Sequence, residues 1–204
     1  RMFLREQGYR IGYVSIDTSD WLLDQKLRRA LVSNPALDLT DWRELHLAGL
    51  WDNAQAYERL ARQLYRREVK HVLLLHHNLT NALFLGDAID MFRARGWKIV
   101  SPDEAFEDAA YKVAPMLPRV DGSVLETTAQ ALGVPLQPAL AGLRSERRVG
   151  EDADRLAVRH RGSDGNMTSL LEAFADAWNR HDVDALMSMM TPDGVFEASG
   201  GTAV

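Results

Sequence analysis

Two stretches put acid–base side chains at the ends of apolar runs. Residues 14–21 read VSIDTSDW, and residues 71–78 read HVLLLHHN. The first run hands over to Asp17 and Asp20, followed by Trp21. The second ends in His76 and His77. A carboxylate within reach of an imidazole stabilises the imidazolium and tunes it as a general acid near neutral pH. Asp20 and His76 are therefore a candidate acid pair, provided the fold brings the two run ends together. The same residues have a plainer reading. An Asp-x-x-Asp after a strand is commonly a turn or a helix cap, and a histidine there is commonly a rim residue with satisfied bonds. Spacing alone leaves both readings open.

The elements that must position these residues follow from pattern. Tyr9–Ile16 is rich in β-branched and aromatic residues and is expected as a strand. Leu22–Val32 is expected as a helix, closed by the turn signal Asn34-Pro35. Ala54, Tyr57, Leu60, Ala61 and Leu64 recur at helical spacing. The continuous run Val72–Leu75 suits a strand buried on both faces of a parallel sheet. Leu79, Ala82, Leu83, Ile89 and Phe92 mark a further helix, with Gly96 at its C′ position. Trp97–Val100 is expected as a short strand. Ser101-Pro102-Asp103-Glu104 then supplies an N-cap, a proline at the first helical position and a capping-box glutamate. This alternation predicts α/β architecture with parallel strands and right-handed crossovers. On such a sheet, strand ends share one rim, and site residues gather there.

The rest of the chain changes character. Prolines at 115, 118, 135 and 138 interrupt any long helix, with one short helix expected over 122–132. Residues 144–166 are charged and glycine-bearing, and read as a linker by composition. A new pattern starts at Met167, with Leu170, Leu171, Phe174 and Trp178 on one helical face. Leu186, Met189 and Met190 mark a second helix, and 194–199 a strand.

Composition excludes some classes. A net charge of −5 gives no electrostatic case for nucleic acid or an anionic membrane. No apolar run approaches the roughly 20 residues of a membrane span. The chain has no cysteine, which removes disulfides and thiolate chemistry. It opens on Arg1-Met2-Phe3-Leu4 and ends on EASGGTAV, and it reads as a piece of a longer protein at both ends.

The segments GYRIGYVSIDTSDW and VLLLHHNLTNALFLGDAIDMFRARGWKIVSPDEAF resemble the C-terminal half of a polysaccharide deacetylase, of the NodB-homology family. The likeness is close over about residues 5–112 and looser to about 152. It implies a partial (β/α) barrel that removes N-acetyl groups from sugars with a divalent metal, commonly zinc, and an N-acetylated sugar or polysaccharide as partner. The family's acid–tryptophan motif falls on Asp20-Trp21, and its leucine–histidine motif on Leu74-Leu75-His76. By resemblance, His76 protonates the leaving amine, Asp20 tunes it, Trp21 walls the groove and Leu74 lines the acetyl pocket. His77 has no implied role. Asn78 and Asp17 are substrate contacts or caps. The family's early motifs, which hold the metal and the aspartate base, are missing. They are expected upstream of Arg1, so no metal ligand is assigned in this chain, and the piece alone is expected to be inactive. A secreted or periplasmic parent is compatible with the family. His46 and His71 lack ligand spacing with another histidine or acid.

Residues 167–204 resemble the start of a SnoaL-like domain of the ketosteroid-isomerase-like superfamily, through Trp178-Asn179-x-His181-Asp182 and Asp193. That likeness implies an α+β segment, with Asp182 as a cap or turn. The organisation read here is a deacetylase part over 1–152, a linker over 153–166 and the SnoaL-like part over 167–204. Trp42 and Trp51 are a sugar-stacking platform or core packing. The NLT and NMT triplets match the glycosylation pattern but are discounted in a bacterial context. Two other readings are a non-catalytic glycan-binding module and a role set by the SnoaL-like part.

Overall fold

The two apolar runs lie side by side and parallel, but they do not build a sheet. In the computed structural model, which describes residues 3, 6–9, 11–112, 122–159, 176–178 and 180–188, Ile16 and Leu73 form an isolated parallel bridge. The Ser15 and Ile16 amides donate to the Val72 carbonyl at 3.0 and 3.1 Å, and the Leu74 amide to Ile16 at 3.0 Å. Among the described residues, pairing goes no further, and the rest of the regular structure is helical.

This corrects the expected α/β architecture: neither a partial (β/α) barrel nor a parallel sheet is present among the described residues. Strand propensity in a run such as Val72–Leu75 reports fitness for a ladder, and a ladder needs partners in space. Residues 72–75 are only half-buried, not sealed on both faces. The expected strand at 97–100 takes no regular structure and joins no ladder. The expected α+β pattern of the tail falls largely outside the described residues, including Leu170, Leu171, Phe174, Met189, Met190, Asp193 and the strand at 194–199.

The helices are α1 (Asp20–Ser33), α2 (Thr40–Tyr65), α3 (Leu79–Ala94), α4 (Pro102–Phe106), α5 (Ala109–Lys112), α6 (Val124–Ala131), α7 (Glu146–Arg159) and α8 (Val183–Ser188). Several boundaries follow local chemistry. Asn78 caps α3 by accepting from the Asn81 amide at 2.9 Å. Gly96, with φ +84°, takes the left-handed position just past that helix. Ser101 caps α4, with Pro102 at its start, and Ser123 caps α6. Asp182 accepts from the Ala185 amide at 2.9 Å ahead of α8, the capping role expected of it.

Residues 146–159 form α7, where composition alone reads linker. Its Val149 and Ala153 are one turn apart and both buried. The charged residues face outward and pair along the helix, as Arg147–Glu151 and Arg155–Asp152, each at 2.6 Å. Such exposed pairs are worth about 0.2–1 kcal/mol at most, so burial of the small apolar stripe is the stronger term.

The chain divides into two compact units. One comprises residues 1–18, 52–74 and 100–143. Its centre is polar as well as apolar. Ser15 Oγ lies 3.0 Å from His71 Nδ1, and His71 Nε2 lies 2.8 Å from Glu58 Oε2. Tyr111 donates its hydroxyl to the Lys70 carbonyl at 2.8 Å, and the same oxygen lies 3.0 Å from Ser15 Oγ. Arg67 grips Asp108 with both guanidinium nitrogens, at 2.8 and 2.6 Å. That hydrogen bonding holds the Asp108 carboxyl down at about 2, against a smaller opposing effect of burial.

The other unit comprises residues 19–51, 75–99 and 144–204. Within it, α1 packs on α7 and α3. Leu23, Leu27 and Leu31 of α1 meet Trp42, Leu79, Phe84, Val149 and Ala153 in one core. Trp42 is 0% exposed, which assigns it to the core and removes it from any sugar platform. Trp51 packs its ring on Phe92 and Trp97 at 6.1 and 6.3 Å, with the Arg95 guanidinium 4.4 Å over it.

Removing a fully buried tryptophan leaves a cavity as well as losing transfer energy. Trp42→Ala is expected to cost about 3–5 kcal/mol in chemical denaturation. A loss below about 1 kcal/mol would contradict its place in the core.

Candidate active site

Asp20 is the first residue of α1. Ser19 precedes the helix with no side-chain cap, and the Asp20 carboxylate turns toward α3 instead. It accepts from the His76 amide at 2.8 Å, Asn78 Nδ2 at 3.0 Å and Asn81 Nδ2 at 2.6 Å, all at Oδ2. Its Oδ1 lies 2.7 Å from His76 Nδ1. A carboxylate only accepts, so the His76 Nδ1 carries the proton. The Asp20 side chain is 0% exposed, while that of His76 is 46% exposed. The ring thus has one nitrogen tied to a buried acid and a body open to solvent, and Nε2 is left as the atom for proton exchange.

The same two helices repeat this contact one turn on. Asp24 follows Asp20 by four residues, on the same face of α1. It accepts from the Thr80 amide at 3.0 Å and the Thr80 hydroxyl at 3.3 Å. Burial pushes the Asp24 carboxyl up, opposed by the Thr80 hydrogen bonds and the Arg28 charge. Both aspartates thus meet the first turn of α3, where the helix dipole and unpaired amides favour negative charge.

The predicted site residues divide as follows. Asp20 and His76 are brought together. Asn78 takes the capping role considered for it at α3, and it also donates to Asp20. Trp21 is 42% exposed on the first turn of α1. Leu74 belongs to the other unit, half-buried, with its carbonyl accepting from Thr18 Oγ1 at 2.8 Å. Asp17 also lies there, and its Oδ1 accepts the Thr18 amide at 2.8 Å, a local turn contact. His77 sets its ring 4.1 Å from that of Trp178.

Sequence reading missed Asn81. It donates to Asp20 and, at 2.7 Å, to the His76 carbonyl, so it braces both ends of the pair. The available signal was the spacing Asn78-x-x-Asn81 at a helix start, which a cap alone does not require. It also missed His46, which is 3% exposed. Burial pushes the His46 imidazole down to about 4, against the raising effects of the Asp20 charge and Asn81.

Among the described residues, no three His, Asp or Glu side chains gather as a metal-ligand set. The zinc implied by the family resemblance therefore has no cradle in these residues, and no step is routed through it. Comparison with protein-family models, curated proteins and solved structures finds no match to this chain.

Two outcomes follow. Asp20→Ala strands the three donors at Oδ2 and the His76 Nδ1–H besides, each one left buried costing about 1–3 kcal/mol. Asp20→Asn keeps an acceptor for them and can turn its amide to His76, so it is expected to cost less. Equal destabilisation in urea titrations would remove the hydrogen-bond account. The second concerns pH. An unfolded histidine titrates near 6.5, and His46 does so at about 4 in the fold. Between these values the unfolded chain holds a proton that the folded chain does not. Stability from this site is full above about 6.5 and falls as pH drops toward about 4, by up to about 3 kcal/mol. His46→Gln is expected to flatten that slope. Parallel slopes for the two proteins would refute it.

Proposed function

We propose that this chain carries the acid half of a carbohydrate N-deacetylase. The observation that supports the reading is the Asp20–His76 pair: a buried carboxylate at 2.7 Å from the Nδ1 of a half-exposed imidazole. In amide hydrolysis, water adds to the acetyl carbon, the C–N bond breaks and the amine nitrogen takes a proton. His76 Nε2 is the donor of that proton. Asp20 holds the ring with Nε2 outward and balances the charge it carries beforehand. The resemblance of Asp20-Trp21 and Leu74-Leu75-His76 to the family's motifs supplies the substrate class, an N-acetylated sugar. Addition of water belongs to other groups, since these residues supply the acid side alone.

A glycan-binding module without catalysis is the second reading. The observation favouring it is Trp21, an aromatic face 42% exposed on the turn that carries Asp20. Aromatic faces of this kind offer apolar area with little ordering cost.

The test is acetate release from N-acetylglucosamine oligomers by the full-length protein that carries this chain, supplied with zinc. His76→Ala is expected to lower the rate about 10²–10⁴-fold while oligomer binding persists. Binding without acetate release from the unmutated protein would select the glycan-binding module. Undiminished release by His76→Ala would remove His76 as the acid.

A further inference from the structure

Asn81 can serve the acid pair in only one orientation. Its Nδ2 faces Asp20 Oδ2 at 2.6 Å and the His76 carbonyl at 2.7 Å, both acceptors. Rotating the amide would set its oxygen against two oxygens. Asn81 Oδ1 must therefore look the other way, and there it is sealed from solvent without a hydrogen-bond partner among the described residues. His46 Nε2 is sealed and unpartnered in the same sense. The two side chains are neighbours: Asn81 acts on the proton affinity of the His46 ring, as does the charge of Asp20. His46 comes from α2 and lies with its ring 6.2 Å from Phe84 of α3.

We propose that His46 is a positioning residue for the acid pair, its Nε2–H turned to the Asn81 carbonyl so that the Asn81 amino group stays on Asp20 and the His76 ring stays in one orientation. The proposal rests on reading Asp20 and His76 as an acid pair. Its chemistry is that of a neutral donor. A buried oxygen wants a partner, because an orphaned acceptor forfeits its hydration with nothing in return. A lysine or arginine could supply a hydrogen bond, but it would place a cation beside Asp20 and compete with the His76 ring for that carboxylate. A neutral imidazole gives the hydrogen bond and adds no charge. This requires the Nε2–H tautomer at His46 and the Nδ1–H tautomer at His76.

Long-range proton–nitrogen NMR correlation on the intact 204-residue chain at neutral pH reads both tautomers. The expected result is a neutral His46 protonated on Nε2 and a His76 protonated on Nδ1. In His46→Leu, which keeps bulk and removes the donor, His76 is expected to show mixed tautomers, and its Nδ1–H to exchange about tenfold faster, the effect of about 1.4 kcal/mol. His46→Gln, whose amide can donate, is expected to restore the single pattern. A His46 ring protonated on Nδ1 in the unmutated chain overturns the proposal, as do unchanged His76 signals in a folded His46→Leu chain. Should His46→Leu not fold, the tautomer in the unmutated chain decides by itself. None of these signals depends on turnover. Expected tautomers in a protein whose full-length form releases no acetate would sink the deacetylase reading and leave the positioning network standing.

Discussion

The Asp20 carboxylate is a charged group placed where water does not reach it. Such a group is tolerated only if its oxygens are met by donors with good geometry. Four donors meet it here, from His76, Asn78 and Asn81. That requirement dictates much of the surrounding structure. It draws the start of α3 onto the start of α1 and turns Asn78 into both a cap and a ligand to the acid. It also leaves the His76 ring no freedom over which nitrogen carries its proton.

The helix pairing around this contact follows the same rule. Asp24, one turn below, accepts from Thr80 at the opening of α3. Beneath the two aspartates the surface of α1 becomes apolar, with Leu23, Leu27 and Leu31 closing against Trp42, Phe84 and Val149. The polar end sets orientation, and the apolar length supplies the bulk of the favourable energy, since hydrogen bonds exchange for water at a net gain of only about 1 kcal/mol each. His46 belongs to both regions, since its ring packs near Phe84 while Asn81 and the Asp20 charge act on its proton affinity.

Local chemistry was legible residue by residue. Asn34-Pro35, Asn78, Gly96 and Ser101 stand at the helix boundaries where the sequence places them, because capping and left-handed turns depend on a few adjacent atoms. The opposite holds for the apolar runs at Tyr9–Ile16 and Val72–Leu75. Their β-branched and leucine-rich character is satisfied by one parallel bridge among the described residues. Strand character is a property of a ladder, and no run specifies how many neighbours it will find. The charged stretch at 146–159 failed in the other direction. Its fully buried residues, Val149 and Ala153, are too small to register against the charge around them, yet with the partly buried Leu156 and Ala157 they seat a helix on α1.

Read alone, the sequence shows that a carboxylate and an imidazole, Asp20 and His76, terminate two apolar runs, and it offers Asn78 as a cap for the helix beyond the second. Those are short-range facts, readable from neighbours in the chain. Tertiary structure alone decided that the two side chains meet, that Asn81 braces both, that Trp42 is core, and that His46 is buried and neutral beside them. Each of these depends on contacts between residues far apart in the chain. Burial and hydrogen-bond orientation are set by what lies across the contact, and no local pattern encodes the partner.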